Sequence, residues 1–290
     1  MNRGRQVQLA AWACVALMCS IPAAEARSHG ARVRTDEPNL RSSAVLVLDQ
    51  THSTVLYSRR ADLAAPIASI TKLMTALVVA DAGLPLDEQI QLTSEDRILG
   101  KGAASRLTLG TTLTRGDLIH LALMSSENRA AHALGRNYPG GLPAFVHAMN
   151  AKAQSLGMTS SHFVDPAGLS SDNVASAEDL SKLVLAAAAN PTIREFSTDP
   201  GYAVPVGRRK LEFRNTNALV SNPNWNIIVQ KTGYIREAGR CLVMQAMIQD
   251  RSVVIVLMNS VGKNTRVADA VRVRRWMETR LNVAARNDRV

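Results

Sequence analysis

Two apolar runs open the ordered part of the pattern, Ala44–Leu48 and Val55–Tyr57, with Asp49-Gln50-Thr51-His52 between them. Short β-branched-rich runs bounded by turn residues read as strands, so the pair predicts a hairpin. After Pro66 the period changes. Ile67, Ile70, Met74, Leu77 and Val78 recur at helical spacing, with Ala68, Ala76, Val79 and Ala80 making the other faces apolar. That predicts a helix buried on most sides, opened by Pro66 at its first position and closed by Gly83. The middle third reads as helical at Arg115–Met124, Asn128–Arg136, Pro143–Leu156 and Ala177–Ala189, the last with Ser176 and Asp179 as a capping pair. Strand-like runs return at Ile227–Gln230, Leu242–Ile248 and Val253–Met258, with a turn at Gln249-Asp250-Arg251, and an amphipathic helix at Thr265–Leu281 closes the pattern. Strands at both ends around a helical centre imply an α+β chain: an antiparallel sheet flanked by helices, with a helical region at about 84–190 inserted between its halves.

Outside this body, Arg3 and Arg5 precede an apolar run from Leu9 to Ile21, followed by Pro22 and Ala24-Glu25-Ala26. That is the layout of a secretory signal peptide cleaved after Ala26, with a run too short to span a bilayer as a helix. Residues 27–40 read as a polar linker, 41–281 as the folded domain and 282–290 as a polar tail. The expected destination is the periplasm.

The chain has 290 residues, 46% hydrophobic and 20% charged, which excludes disordered and fibrous classes. Its net charge of +10 favours anionic surroundings. Arg208-Arg209-Lys210 and Arg272–Arg275 are basic, but aromatics do not interleave with them, so no nucleic-acid partner is expected. They read as a solvated face, attracted to anionic wall or membrane. After cleavage Cys241 is the remaining cysteine; its apolar setting reads as a small buried hydrophobe. The six histidines form no metal-binding pattern and no phosphate-binding glycine motif occurs, so neither metal nor cofactor is expected.

Three short motifs carry the chemistry: Ser69-Ile70-Thr71-Lys72, Ser126-Glu127-Asn128 and Lys231-Thr232-Gly233. The set S-x-x-K, S-x-N and K-T-G is that of serine acyl-transferring penicillin-recognising enzymes. Each motif has a weak signal alone. S-x-x-K recurs at Ser260–Lys263, and a literal S-D-N occurs at Ser171-Asp172-Asn173. Ser69 and Lys72 lie three apart at a helix start and share a face, whereas Gly262 breaks any helix between Ser260 and Lys263. Ser126 gives the short gap first and the long gap second, the order the fold requires; Ser171 does not.

A serine hydroxyl needs a base, and no Ser-His-Asp set is evident. Lys72 fills that role if burial and the nearby charge of Lys231 keep it neutral. In this scheme Ser126 passes a proton to the leaving amine and Asn128 holds a substrate amide. Thr232 meets a terminal carboxylate, Gly233 lets the substrate backbone approach, and the N–H groups of Ser69 and Tyr234 form an oxyanion hole.

With these residues the chain resembles the serine D-alanyl-D-alanine peptidases, the low-molecular-mass penicillin-binding proteins. The likeness extends to Leu123–Ala131, Tyr138-Pro139-Gly140-Gly141, Phe213–Asn217 and Asn224–Ile227, where it is to the endopeptidase subgroup; Glu127 inside the second motif belongs to that likeness. The resemblance implies a β-lactamase/transpeptidase-like fold, acylation of Ser69, peptidoglycan stem peptides as substrate and covalent capture of β-lactams. The short stretch after Gly233 leaves no room for the C-terminal β-domain and anchor of the family's carboxypeptidases, which favours an endopeptidase. Asp165 is acidic but precedes Pro166, and no glutamate matches the one that directs water in class A β-lactamases, so a penicillin adduct is expected to persist. The alternatives are carboxypeptidase action on pentapeptide stems and, remotely, a non-catalytic wall-binding module.

Overall fold

A computed structural model describes residues 37–97 and 105–287, with side chains described up to 280. The expected signal peptide, most of the 27–40 linker and the segment Gly100–Ala104 lie outside the described residues.

The N-terminal hairpin is β1 (Ser42–Asp49) and β2 (Thr54–Arg59). Its turn is tied down by Asp49, a fully buried carboxylate that accepts from the His52 backbone N–H at 3.2 Å, His52 Nδ1 at 2.9 Å and Arg251 Nη1 at 2.9 Å. The chain then makes β3 (Ala65–Pro66), a 3-10 turn (Ala68–Ile70) and α1 (Thr71–Asp81). Here the sequence reading needs correction. Pro66 does not open the helix but pairs with Val174 in a two-stranded ladder, and the Ile67 N–H donates to the Asn173 carbonyl. Ala68 has φ +50°, outside the helical region, so α1 starts only at Thr71. Gly83, with φ +62°, follows the helix in the left-handed position that glycine takes there.

The centre contains β4 (Gln89–Gln91), β5 (Thr112–Thr114), α2 (Arg115–Met124), α3 (Asn128–Arg136), α4 (Gly141–Ser155), β6 (Val174–Ala175), α5 (Ala177–Ala189) and α6 (Pro191–Thr198). Three helices match their sequence-derived bounds, and the Ser176 hydroxyl accepts from the Asp179 N–H as its capping pattern requires. Helix α6 and the hairpin β7 (Gly201–Val206) with β8 (Arg209–Arg214) were not foreseen. Strands β9 (Asn226–Ile235), β10 (Gly239–Ile248) and β11 (Arg251–Ser260) follow, then α7 (Thr265–Asn287). Helix α7 runs through most of the expected polar tail.

The main sheet is antiparallel, in the order β2-β1-β11-β10-β9. The middles of its central strands, Ala44–Leu48 of β1 and Val253–Met258 of β11, are apolar at every position because both faces are covered. Ala44, Leu46, Val243, Val254 and Val256 face α5 and share one core with α1 to α4, while Val45, Val47, Leu242, Ile255 and Leu257 pack against Ala270, Val273 and Met277 of α7. Alternation along a strand sends successive side chains to opposite faces. Strand β9 forms one edge of the sheet, and its inner end lies against the 3-10 turn that carries Ser69. Cys241 is fully buried in the first core, and burial pushes its thiol up to about 11.

Candidate active site

Ser69 sits in the 3-10 turn, at 9% exposure, with α1 directly behind it. Lys72, one turn on, is fully buried and its Nζ donates to Ser69 Oγ at 2.8 Å, Asn128 Oδ1 at 2.9 Å and the Ala167 carbonyl at 2.5 Å. A buried ammonium loses its hydration, and this burial lowers Lys72 to about 7; the negative charges of Asp165 and Glu127 oppose the shift. At neutral pH a large share of Lys72 therefore carries a lone pair.

Asn128 is the first residue of α3, and Ser126 stands in the short link between α2 and α3 with φ +62°. A serine in this left-handed region costs about 1–2 kcal/mol, and such strain gathers at functional positions. The link turns Ser126 toward β9. Lys231 Nζ donates to Ser126 Oγ at 2.9 Å and to the Thr232 carbonyl at 2.9 Å. Lys231 is also fully buried and held well below the ordinary lysine range, by burial and then by the charges of Lys72 and Arg266.

Thr232 exchanges a 2.7 Å hydrogen bond with Thr216 Oγ1. Gly233 explains how β9 comes so close to the nucleophile: a Cβ there would lie 2.8 Å from the Ile67 carbonyl oxygen and 3.2 Å from Ala68 Cβ. Tyr234 points outward, 55% exposed, with the Arg240 guanidinium 4.4 Å from its ring centre. A cavity of about 260 Å3 is lined by Ser69, Ser126, Asn128, Leu169, Thr216, Thr232, Gly233, Tyr234 and Arg266. All three motifs thus meet around one cleft.

The two decoys lie elsewhere. Ser260 Oγ shares a 2.6 Å hydrogen bond with Ser42 Oγ at the end of the β1–β11 pair, and Lys263 is exposed. Asn173 is fully buried; its amide oxygen accepts from the Val164 N–H at 3.0 Å, and its amide nitrogen donates to Asp165. That places Ser171-Asp172-Asn173 in a structural loop. Asp165 accepts from the N–H groups of Ala167, Gly168 and Ser170 at 2.6–2.9 Å. It shapes the loop that presents the Ala167 carbonyl to Lys72.

Sequence reasoning missed Thr216, Leu169 and Arg266. Thr216 lay within a noted segment, but its place beside Thr232 depends on the link after β8. Arg266 comes from the first turn of α7, and Nη1 reaches the Gly233 carbonyl at 3.5 Å. Among the described residues, no group of three or more His, Cys, Asp or Glu is placed to hold a metal ion.

Comparison with known sequences identifies the family. The profile of the D-alanyl-D-alanine carboxypeptidase family matches residues 31–262. The chain belongs to this family of serine D-alanyl-D-alanine peptidases. A D-alanyl-D-alanine endopeptidase of Pseudomonas aeruginosa is 49% identical over 245 residues, 84% of this chain and 79% of that protein. The Escherichia coli D-alanyl-D-alanine endopeptidase is 46% identical over 276 residues, covering 91% and 87%. A Streptomyces D-alanyl-D-alanine carboxypeptidase is more distant, 28% identical over 254 residues, 82% of this chain and 87% of that one. Among solved structures, a Streptomyces DD-transpeptidase superposes with a TM-score of 0.77 at 27% identity, over 83% of this chain and 98% of that one. The α+β architecture is therefore that of the DD-transpeptidase and penicillin-binding proteins.

Proposed function

We propose that this D-alanyl-D-alanine peptidase is an endopeptidase that cuts peptidoglycan cross-links through an acyl-Ser69 intermediate and is acylated at the same serine by penicillins. The observation that carries the mechanism is the 2.8 Å contact between Ser69 Oγ and a buried Lys72 whose proton affinity is lowered to about 7. Neutral Lys72 takes the Ser69 proton as Oγ attacks the D-alanyl carbonyl carbon. The N–H groups of Ser69 and Tyr234 receive the developing oxyanion. As the C–N bond breaks, Ser126 gives its proton to the leaving amine and recovers the proton that Lys72 took from Ser69, while Lys231, 2.9 Å away, holds the Ser126 oxygen; Lys72 is then neutral again. Water then attacks the ester carbonyl as neutral Lys72 takes its proton, and Lys72 returns that proton to Ser69 Oγ as the ester C–O bond breaks, which releases the acid product and restores the free serine.

Asn128 is suited to orient a substrate amide. Thr232, Thr216 and Arg266 together form a cationic, hydroxyl-lined end suited to the carboxylate beside the scissile bond. The endopeptidase reading draws on the two relatives of that name at 49% and 46% identity. The carboxypeptidase reading draws on the family profile and on the more distant relatives. Digesting a purified cross-linked dimer beside a monomeric pentapeptide decides between them: monomers released from the dimer are expected, and release of free D-alanine alone would overturn the endopeptidase reading.

We place the working site in the periplasm, reached by the signal sequence, with residues 41–281 as the catalytic domain. Among the described residues no helix is long and apolar enough to cross a membrane. Peripheral attraction to anionic wall or membrane follows from the net charge of +10, and raised salt should weaken it.

A further inference from the structure

A second cavity, about 560 Å3, meets the catalytic cleft at Ser126. It is lined by Arg106, Ser125, Ser126, Glu127, Glu212, Phe213 and Arg214. Its walls carry two guanidinium groups and two carboxylates, and it shares Ser126 with the cleft that Ser69 lines.

The placement of Arg106 is built from both sides. Its neighbour Ser105 donates to the Glu127 carboxylate. Its other neighbour, Leu107, is buried; the Leu107 N–H donates to Ser105 Oγ at 3.1 Å, and the Leu107 carbonyl accepts from Arg129 Nη1. Residues 105–107 are thereby fastened to the second motif and to α3. Arg106 itself spans to the hairpin: Nη1 donates to the Glu212 carbonyl at 2.6 Å, and the guanidinium lies 4.7 Å from the Phe213 ring centre. An exposed arginine fixed by a stacking partner and a carbonyl loses little further freedom when it binds an anion.

We propose that this cavity is a subsite for the side-chain end of the stem peptide's diamino acid, and that it selects an end bearing both an ammonium and a carboxylate. Arg106 and Arg214 supply the cationic partners for the carboxylate; Glu212 supplies an anionic partner for the ammonium. The inference rests on the stem-peptide reading above. Its geometric basis is that Ser126 lines both cavities. Successive residues are at most about 3.6 Å apart along an extended chain. A diamino acid preceding the D-alanine attacked by Ser69 therefore has the reach to place its side chain past Ser126. A purely cationic end, as in lysine, would leave both arginines unpaired by it.

The test is competition with a fluorescent penicillin for Ser69, using two synthetic stem peptides that differ only in whether the diamino acid side chain ends in ammonium and carboxylate or in ammonium alone. Active-site concentration is taken from each protein's own penicillin labelling. The wild type should be protected about tenfold better by the amino-acid-ended peptide, as one charge-assisted contact at an open site provides. Arg214→Ala and Arg106→Ala should each bring that ratio to within about threefold of unity, and Arg214→Lys should retain more of it than Arg214→Ala. A wild-type ratio near one overturns the proposal, as does a ratio that survives in both alanine variants. Cleavage of the cross-linked dimer, scored in parallel, reports on the peptidase reading alone. A dimer left uncut while the competition ratio persists would remove that reading and leave the subsite standing.

Discussion

Lys72 Nζ lies 2.8 Å from Ser69 Oγ although the two residues belong to different elements, the serine to a 3-10 turn and the lysine to the first turn of α1. The tighter turn begins at Ala68, whose φ of +50° brings the chain into the helix from the side. The hydroxyl thus faces the cleft while its base stays inside the protein. With Lys72 lowered to about 7, the ammonium form dominates below that pH and cannot accept the serine proton. The acylation rate by penicillin should therefore rise with pH through about 7 and level off above it. Stopped-flow labelling from pH 5 to 9 checks this; a rate that falls over that range would contradict it.

Glu127 offers a control on that limb. Its carboxylate raises the proton affinity of Lys72, against the larger effect of burial, while burial pushes Glu127 itself upward. Removing the negative charge in Glu127→Gln lets Lys72 fall further, so the acid limb should move to lower pH. A limb that moves upward or stays in place would show that Glu127 does not act on Lys72 through its charge.

Ser69→Ala should abolish covalent labelling by a fluorescent penicillin, whereas Ser171→Ala and Ser260→Ala should retain it. Ser260 is bonded to Ser42 and does not line the cleft, and Ser171 stands in the Asp165 loop. Peptide mapping of the adduct locates the labelled serine directly.

Gly233→Ala should both slow acylation and destabilise the fold. Its Cβ would sit 2.8 Å from the Ile67 carbonyl, so β9 must move away from the 3-10 turn. Overpacking of this kind costs about 1–3 kcal/mol, and a shift near 1 Å at the nucleophile costs about 100-fold in rate. Gly168→Ala is the harsher change, with φ +74° and a Cβ 2.0 Å from the Ala68 carbonyl oxygen. Thermal melts and labelling rates of the two variants should rank them in that order.

Lys72→Met should trade activity for stability. A lysine lowered to about 7 in the folded protein but normal in the unfolded chain favours unfolding at neutral pH, because the unfolded state binds the extra proton. Wild-type stability should then climb between about pH 7 and 10 as that proton is lost from the unfolded chain too. The methionine variant lacks Lys72's share of this dependence, while Lys231 keeps its own, and should melt several degrees higher at pH 7 with no acylation. A lower melting temperature than wild type would contradict the account.

Much of the framework was readable because local signals and packing agree. The Ala44–Leu48 and Val253–Met258 runs are apolar at every position, which marks strands covered on both faces. Helix α5 carries its own cap in Ser176. The misreadings share one cause, a partner distant in sequence. Pro66 suits a helix start, and only Val174 and Asn173 turn it into a strand. Helix α6 had a visible signal, Asn190 capping the Ile193 N–H with Pro191 next to it, hidden behind the alanine run that ends α5. Hairpin β7–β8 exposes most of its length, so its apolar pattern is faint. In the cleft, Ser69, Lys72, Ser126, Asn128, Lys231, Thr232 and Gly233 were found through motifs. Arg266 and Leu169 belong to no motif, and only the docking of α7 and the Asp165 loop brings them in.

Strand β1 is hydrogen-bonded to β11, with Ser42 opposite Ser260 and Asp49 opposite Val253. The first strand to leave the ribosome therefore waits for nearly the last one before it has a neighbour on that side. Any chain interrupted before residue 260 lacks the middle of its sheet, and with it the support that presses β9 onto the serine. Assembly of a working nucleophile is thus tied to completion of the polypeptide, and partial products carry no hydrolytic threat to the cell that makes them.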